Sequence, residues 1–348
     1  MKTLRLLAHE SPDVPMSAAW YIAEVGEAKG KQELFTRQSP QRLKALREHA
    51  LVESAISSNR IEGVEIEPSR FRPVVLGKPV PRDRNEEEVR GYRDALRKIH
   101  ESAGKLAVSE GRILDLHRLS RGGIGDAGRY RQKDLDIIET TADGFSRVRF
   151  KAVAGARVPD AMRDLVSAWH DALQPGHVHP LLLLAAFNLD FLCIHPFRDG
   201  NGRVSRLLLL LQTYHFGFEV GRYISLERII EQNKERYYET LEQSSRGWHE
   251  GRHDPWPYVT YLLYVLKTAY REFEDRLGRT RAARGEKSET VRQAVQRAVG
   301  EFRVADLQRE CPGVSLDMIR HVLKELRRSG LVECVGRGPG ARWRRREG

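Results

Sequence analysis

Between His195 and Arg206 the chain sets a base, a carboxylate, a glycine-rich turn and two cations within twelve residues. The run reads His195-Pro196-Phe197-Arg198-Asp199-Gly200-Asn201-Gly202-Arg203, with Arg206 three further on. An imidazole, with an ordinary pKa near ~6.5, suits general-base work at neutral pH. Asp199 offers the hard oxygen that Mg²⁺ takes from one or two carboxylates alongside phosphate oxygens. Pro196 stops a preceding helix and the turn opens another, so backbone N–H groups and a helix N-terminus converge on one anion-sized space. Arg203 and Arg206 lie on one face of that second helix, where both can point back at the same anion. Each part alone has an ordinary reading: a helix-end histidine, a tight turn, two solvated arginines. Their order and spacing together describe phosphate-transfer chemistry.

The flanking segments must hold this run in place. Leu181–Ile194 and Val204–Tyr214 are apolar without a clear polar face, which predicts two buried central helices. Upstream, Leu43, Leu46 and Ala50 recur at helical spacing within a helical stretch over 17–60, and 70–84, with three prolines and Gly77, reads as an irregular connector. Helices are predicted over 85–102 and 109–119. Two short β-branched runs flank Asp143-Gly144 and predict a hairpin over 134–150. Helical periodicity returns near Pro159. A long helix is predicted over 256–277, with Leu262, Val265, Leu266, Ala269 and Phe273 inward, followed by a charged linker at 278–287. The remainder reads as three helices and a hairpin. Its third helix, 315–328, buries Ile319, Val322, Leu323 and Leu326.

Composition narrows the class. Hydrophobic residues make up 40% and charged residues 31%, ordinary for a globular protein. No apolar run is long enough for a membrane span, and residues 1–10 do not read as a secretory signal. Cys193, Cys311 and Cys334 have no C-x-x-C spacing, which speaks against a disulfide framework or a cysteine zinc site and for a cytoplasmic setting. The net charge is +11, but residues 279–348 hold 17 Lys and Arg against 9 Asp and Glu, a balance of +8. Any nucleic-acid partner is thereby confined to the C-terminal end.

The run from His195 to Arg206 resembles, without a departure, the signature of the Fic family, H-P-F-x-[D/E]-G-N-G-R-x-x-R. The resemblance implies a mainly α fold: a Fic (Fido) helical core over 106–278 with a β-hairpin flap, an N-terminal helical region over 1–105, and a C-terminal module over 287–348. It implies transfer of AMP from ATP to Ser, Thr or Tyr hydroxyls of a protein, the chain itself included. On that pattern His195 deprotonates the hydroxyl and Asp199 holds Mg²⁺. Gly200, Asn201 and Gly202 cradle phosphates with Arg203, and Phe197 anchors the loop. The related Doc kinases carry Ala and Lys where this chain has Gly200 and Gly202, which favours AMP transfer over phosphorylation. The hairpin resembles the flap that docks a target protein, and Tyr237-Tyr238 resemble residues walling the adenine pocket. Gly128-Arg129-Tyr130-Arg131 also recurs in such proteins, without an assigned role.

Ser58-Asn59-Arg60-Ile61-Glu62-Gly63 matches the family's inhibitory pattern, [S/T]-x-x-x-E-[G/N], expected here just beyond the first strong helix. Glu62 and the γ-phosphate of ATP would compete for Arg206. In some relatives this glutamate also serves removal of AMP, so an enzyme acting mainly in reverse stays open as a reading. The C-terminal pattern resembles a winged helix-turn-helix, with Arg320, His321, Lys324, Arg327 and Arg328 opposite the buried stripe. Duplex DNA and protein are both open as its partner, and for the chain as a whole a homo-oligomer is open. A DNA-binding regulator that uses the core as a nucleotide sensor is the alternative from another class.

Overall fold

The computed structural model describes residues 1–9, 13–36, 40–77, 80–123, 125–140, 146–174, 178–298, 301–311, 314–336 and 341–346. Asp143, Gly144 and the tip of the C-terminal hairpin lie outside them. The chain divides into two units, Met1–Phe273 and Glu274–Gly348.

In the first unit the order is α1 (Lys2–His9), α2 (Met16–Thr36), α3 (Pro40–Ile61), α4 (Phe71–Leu76), α5 (Arg84–Ser102), α6 (Glu110–Ser120), β1 (Asp136–Thr140) and β2 (Ser146–Lys151). There follow α7 (Val158–Ala172), α8 (Pro180–Ile194), α9 (Asn201–His215), α10 (Leu226–Gln232), α11 (Lys234–Ser245) and the long α12 (Trp256–Arg297), which continues into the second unit. The fold is mainly helical, as expected. Side-chain caps set several starts: Asp83 accepts the Glu86 amide to open α5, and Ser109 accepts that of Arg112 to open α6.

The two apolar segments become α8 and α9, packed against each other; α1 and α7 also pack on α8. Every residue from Leu181 to Ile194 is buried. Two polar groups tolerate that burial because they are bonded. Asp190 accepts the amides of Thr3 (2.9 Å) and Leu4 (3.0 Å) and the Trp248 indole N–H (2.6 Å), so it also caps α1. Asn188 accepts the Tyr258 hydroxyl and donates to the Ser205 carbonyl. The N-terminal helices form no separate body: α3 packs on α5, α9 and α10, and α5 on α6.

Two expectations are corrected. The connector at 70–84 contains the short helix α4, with Val74 and Val75 buried. Pro73 is tolerated in its first turn, where an N–H has no intrahelical partner. Arg93 then donates to the Val74, Val75 and Gly77 carbonyls and closes its end. Residues 278–287 are helical backbone within α12 rather than a linker. Their Ala, Arg, Glu and Lys are strong helix formers, and the two glycines, Gly278 and Gly285, cost only about 1 kcal/mol each.

β1 and β2 pair antiparallel, with Ile137 facing Phe150, Ile138 facing Val148, and a register shift between Ile137 and Ile138. In the second unit, β3 (Glu301–Phe302), α13 (Val304–Glu310), α14 (Leu316–Arg328), β4 (Val332–Val335) and β5 (Arg342–Arg345) follow. The sheet order is β3-β5-β4, all antiparallel. β3 escaped sequence reading because two residues show no periodicity. Val291, Val295, Phe302, Leu307, Ile319, Val322, Leu323 and Val332 form this unit's core.

Candidate active site

α8 ends on His195, whose backbone takes the left-handed conformation at φ 52°, alone among the described non-glycine residues. That conformation costs an L-residue roughly 1–2 kcal/mol and persists only where the surroundings fix it. Arg131 does much of the fixing. It donates from Nε to the His195 carbonyl (2.8 Å) and from Nη2 to the Ile194 (3.2 Å) and Val153 carbonyls. Its Nη1 takes the Lys133 carbonyl, and its own amide donates to the Pro196 carbonyl. Arg131→Met is expected to destabilise the fold by on the order of 3 kcal/mol, because these buried acceptors lose their donor. Urea denaturation checks it, and an unchanged midpoint would refute the clamp.

The imidazole itself is oriented by Leu192. A carbonyl can only accept, so the Nδ1–Leu192 O contact at 3.2 Å places the proton on Nδ1 and leaves Nε2 as a free base. Burial pushes the His195 pKa down to about 4. Near neutral pH the side chain is therefore an unprotonated base, well below the ordinary value used in the sequence argument. His100, half-buried against Tyr214, is lowered further, to about 3, again chiefly by desolvation. Both folded pKa values lie below the unfolded value near ~6.5, so both groups contribute stability that is complete above about pH 6.5. As pH falls toward 4 the unfolded chain binds more protons, and that contribution is lost. Melting temperature should decline across this window before carboxylates titrate; a flat profile from pH 7 to 4.5 would contradict it.

The turn after His195 is braced from inside. Phe197 is fully buried, stacked on His117 with centroids 3.7 Å apart. Asn201 Oδ1 accepts the Phe197 amide (2.9 Å), and its Nδ2 donates to the Phe197 carbonyl (2.7 Å). The Asn201 side chain is thus occupied as a brace, and what it leaves for an anion is the amide-lined first turn of α9. Gly200 N-caps that helix at φ 84°, a conformation that favours glycine.

The two motif arginines part company, against the expectation that both face one anion. Arg203 is fully buried and turned into an ionic network with Glu88, the Asn59 Oδ1 (3.1 Å) and Asp199 (3.5 Å). Arg206 faces the turn. Its Nε donates to Ser58 Oγ, and its Nη2 donates to the Ser58 carbonyl and Glu62 Oε1, each at 2.8 Å. Its buried Nη1 has no hydrogen-bond partner among the described residues. Burial opposes the charge, yet the neighbouring Glu62 carboxylate holds the guanidinium pKa above its ordinary value. Ser58 lies inside the last turns of α3 rather than beyond the helix, and Glu62 sits where α3 gives way to Gly63 at φ 78°. A Cβ on Gly202 would stand 2.2 Å from Glu62 Oε1 and 3.1 Å from Arg206 Nη1. The glycine is what lets a carboxylate rest on the first turn of α9.

One cavity joins these groups. Glu62, His195 and Gly202 line it together with Ile137, Arg149, Phe150, Tyr237 and Tyr238. Tyr237 is buried, and the Tyr238 hydroxyl donates to the Ile61 carbonyl (3.3 Å). Arg149 of β2 lies over the Tyr238 ring, 5.0 Å from its centre. The hairpin, the tyrosine pair and the end of α3 therefore wall one space. Asp199 stands beside it with a half-exposed carboxylate, one oxygen held by Arg121 at 2.5 Å. Among the described residues no group of three or more His, Cys, Asp or Glu is placed to hold a metal alone.

Sequence reasoning missed Glu88, His117, Arg121 and Arg131. The Gly128–Arg131 run was visible without a role. Glu88, His117 and Arg121 sit on helices as ordinary polar residues, and only their long-range contacts mark them.

Residues 107–213 match the Fic/DOC family model. The chain is 28% identical over 207 residues to the protein adenylyltransferase Fic of Nematostella vectensis, covering 55% of this chain and 42% of that protein. It is 26% identical over 184 residues to the protein adenylyltransferase Fic of Drosophila grimshawi, covering 50% and 32%. The chain thus spans less than half the length of these relatives. Among solved structures, a Fic family protein from Desulfovibrio desulfuricans G20 superimposes with a TM-score of 0.62 at 24% identity, covering 96% of this chain and 97% of that one. A Fic-domain-containing signaling protein from Bacteroides thetaiotaomicron gives 0.61 at 20% identity, covering 73% and 97%. At those identities the likeness is one of fold.

Proposed function

We propose, on the premise that the chain carries a Fic/DOC-family domain over residues 107–213, that it transfers AMP from ATP to a hydroxyl side chain of a protein under restraint by Glu62. The observation that carries the reading is Arg206: a buried guanidinium with one orphaned N–H, over a glycine cradle that only a small or anionic neighbour can enter. In transfer, His195 Nε2 takes the hydroxyl proton as the oxygen attacks the α-phosphorus. The bond from that phosphorus to the bridging oxygen breaks, and pyrophosphate leaves. Arg206 and the α9 amides stabilise phosphate charge. Asp199, half exposed at the rim, fits a role in holding Mg²⁺, which neutralises phosphate charge when bound. Tyr237 and Tyr238 suit a purine, and the β1–β2 hairpin suits an extended target segment added alongside it. With Glu62 on Arg206, the seat for the terminal phosphates is taken. Labelled ATP incubated with cell lysate and wild type, Glu62→Gly or His195→Ala tests the reading. Label in Glu62→Gly that is absent in His195→Ala supports it; no label with any variant refutes it.

No described helix is long and apolar enough to cross a membrane. The three cysteines are free, which suits a reducing, cytoplasmic setting. The second unit we read as a winged helix-turn-helix that docks on duplex DNA through α14. Lys324, Arg327 and Arg328 are exposed there, whereas Arg344 and Arg346 are paired with Glu333 and Arg342 with Glu301. Binding should therefore depend on the helix more than on the hairpin. Lys324→Ala is expected to lower the slope of log K against log salt by about one. Absence of salt-dependent duplex binding would remove DNA as the partner and leave protein.

A further inference from the structure

Asp199 is gripped at both ends by one helix. His117 lies in the last turn of α6, and Arg121 caps its C-terminal end. His117 Nδ1 accepts the Gly128 amide at 2.9 Å, so its Nε2–H donates to the Asp199 carbonyl at 3.0 Å. Arg121 Nη1 donates to Asp199 Oδ2 at 2.5 Å and to Glu88 Oε1 at 2.8 Å. Arg203 occupies the other Glu88 oxygen. Glu88 is buried and Asp199 is half exposed; Arg84, itself exposed, also donates to Glu88 Oε1 at 3.0 Å, so three guanidiniums share these two carboxylates. A Cβ on Gly200 would lie 3.3 Å from Arg121 Cδ and 3.5 Å from His117 Cδ2, so the turn packs directly on both side chains.

We propose that Arg121, held in place by Glu88 and joined by His117, is a positioning residue that presents Asp199 to the divalent cation escorting the nucleotide. A carboxylate on a free loop loses rotamer freedom when it binds a metal. Here that ordering is done beforehand. The backbone carbonyl and Oδ2 are both held, which leaves Oδ1, 3.5 Å from Arg203 Nη2, as the oxygen for a cation. Because Glu88 holds the same Arg121 nitrogen that donates to Asp199, the arginine acts as a fixed mount for that carboxylate. Residues that orient a metal ligand in this way typically change metal affinity by about 10- to 100-fold when removed. The inference rests on the reading that Asp199 holds the cation.

The test is Mn²⁺ binding to the full chain, read by electron paramagnetic resonance with saturating α,β-methylene ATP, on a Glu62→Gly background. Asp199→Asn, Arg121→Met and Arg121→Lys are compared, with thermal melting as the check on folding. Arg121→Met should weaken Mn²⁺ by about 10- to 100-fold, and Arg121→Lys should recover most of the loss. Affinity for the analogue at saturating Mn²⁺ should stay within about twofold, a split that simple loss of structure does not produce. Unchanged or tighter Mn²⁺ binding in folded Arg121→Met, with Asp199→Asn still impaired, overturns the positioning role. Unchanged binding in Asp199→Asn overturns the underlying assignment of Asp199 instead.

Discussion

Glu62→Gly is expected to raise AMP transfer by roughly 10- to 150-fold at limiting ATP, because a charge-assisted hydrogen bond contributes about 1.5–3 kcal/mol. The Arg206–Glu62 contact at 2.8 Å has to be given up before phosphate oxygens can take its place. Its removal leaves Arg206 buried with the two Ser58 contacts and no counter-charge. The variant should therefore melt lower than wild type and gain more from added ATP, since the nucleotide restores the missing anion. The two readouts must move together. A faster enzyme with unchanged ATP-induced stabilisation would mean that Glu62 acts elsewhere than at the phosphate seat.

The second large effect is at the base. His195→Ala should slow transfer by about 10²- to 10⁴-fold, with nucleotide affinity within about twofold of wild type. The pH dependence is more discriminating than the loss itself. With burial holding the imidazole pKa down at about 4, it stays unprotonated from pH 5 upward. The rate should then show no inflection near ~6.5, the ordinary histidine value, and should fall only as pH approaches 4. An inflection between pH 6 and 7 that His195→Ala abolishes would show that the base works from an exposed, unshifted state. That would contradict the geometry around Leu192.

Much of this site was readable because its chemistry is local. His195, Asp199, the glycine turn and Arg206 follow one another in the chain, and helices α8 and α9 announce themselves as apolar runs. Glu62 was legible by pattern, and the structure places its carboxylate within 2.8 Å of Arg206. What stayed hidden is carried by long-range pairing. Arg203 looks identical to Arg206 in sequence, and only the position of Glu88 on α5 turns it inward. Asn201 reads as a phosphate ligand until its amide is seen to close on the Phe197 backbone. Arg131 reveals its role only where the end of α8 exposes carbonyls to it. The helix through 278–287 was missed for a different reason: two glycines and a run of charges imitate a linker.

The backbone at residue 195 has one more implication. A left-handed turn at the end of a helix is a position that glycine fills with least strain, so folding alone would discard the side chain there. Among the described residues, the imidazole sits on the one non-glycine bend of this kind, where the fold would gain from its removal, and Arg131 is the restraint that keeps it there. Stability and chemistry pull in opposite directions at a single peptide, and random substitution selected for folding alone would disarm this chain at residue 195 early on.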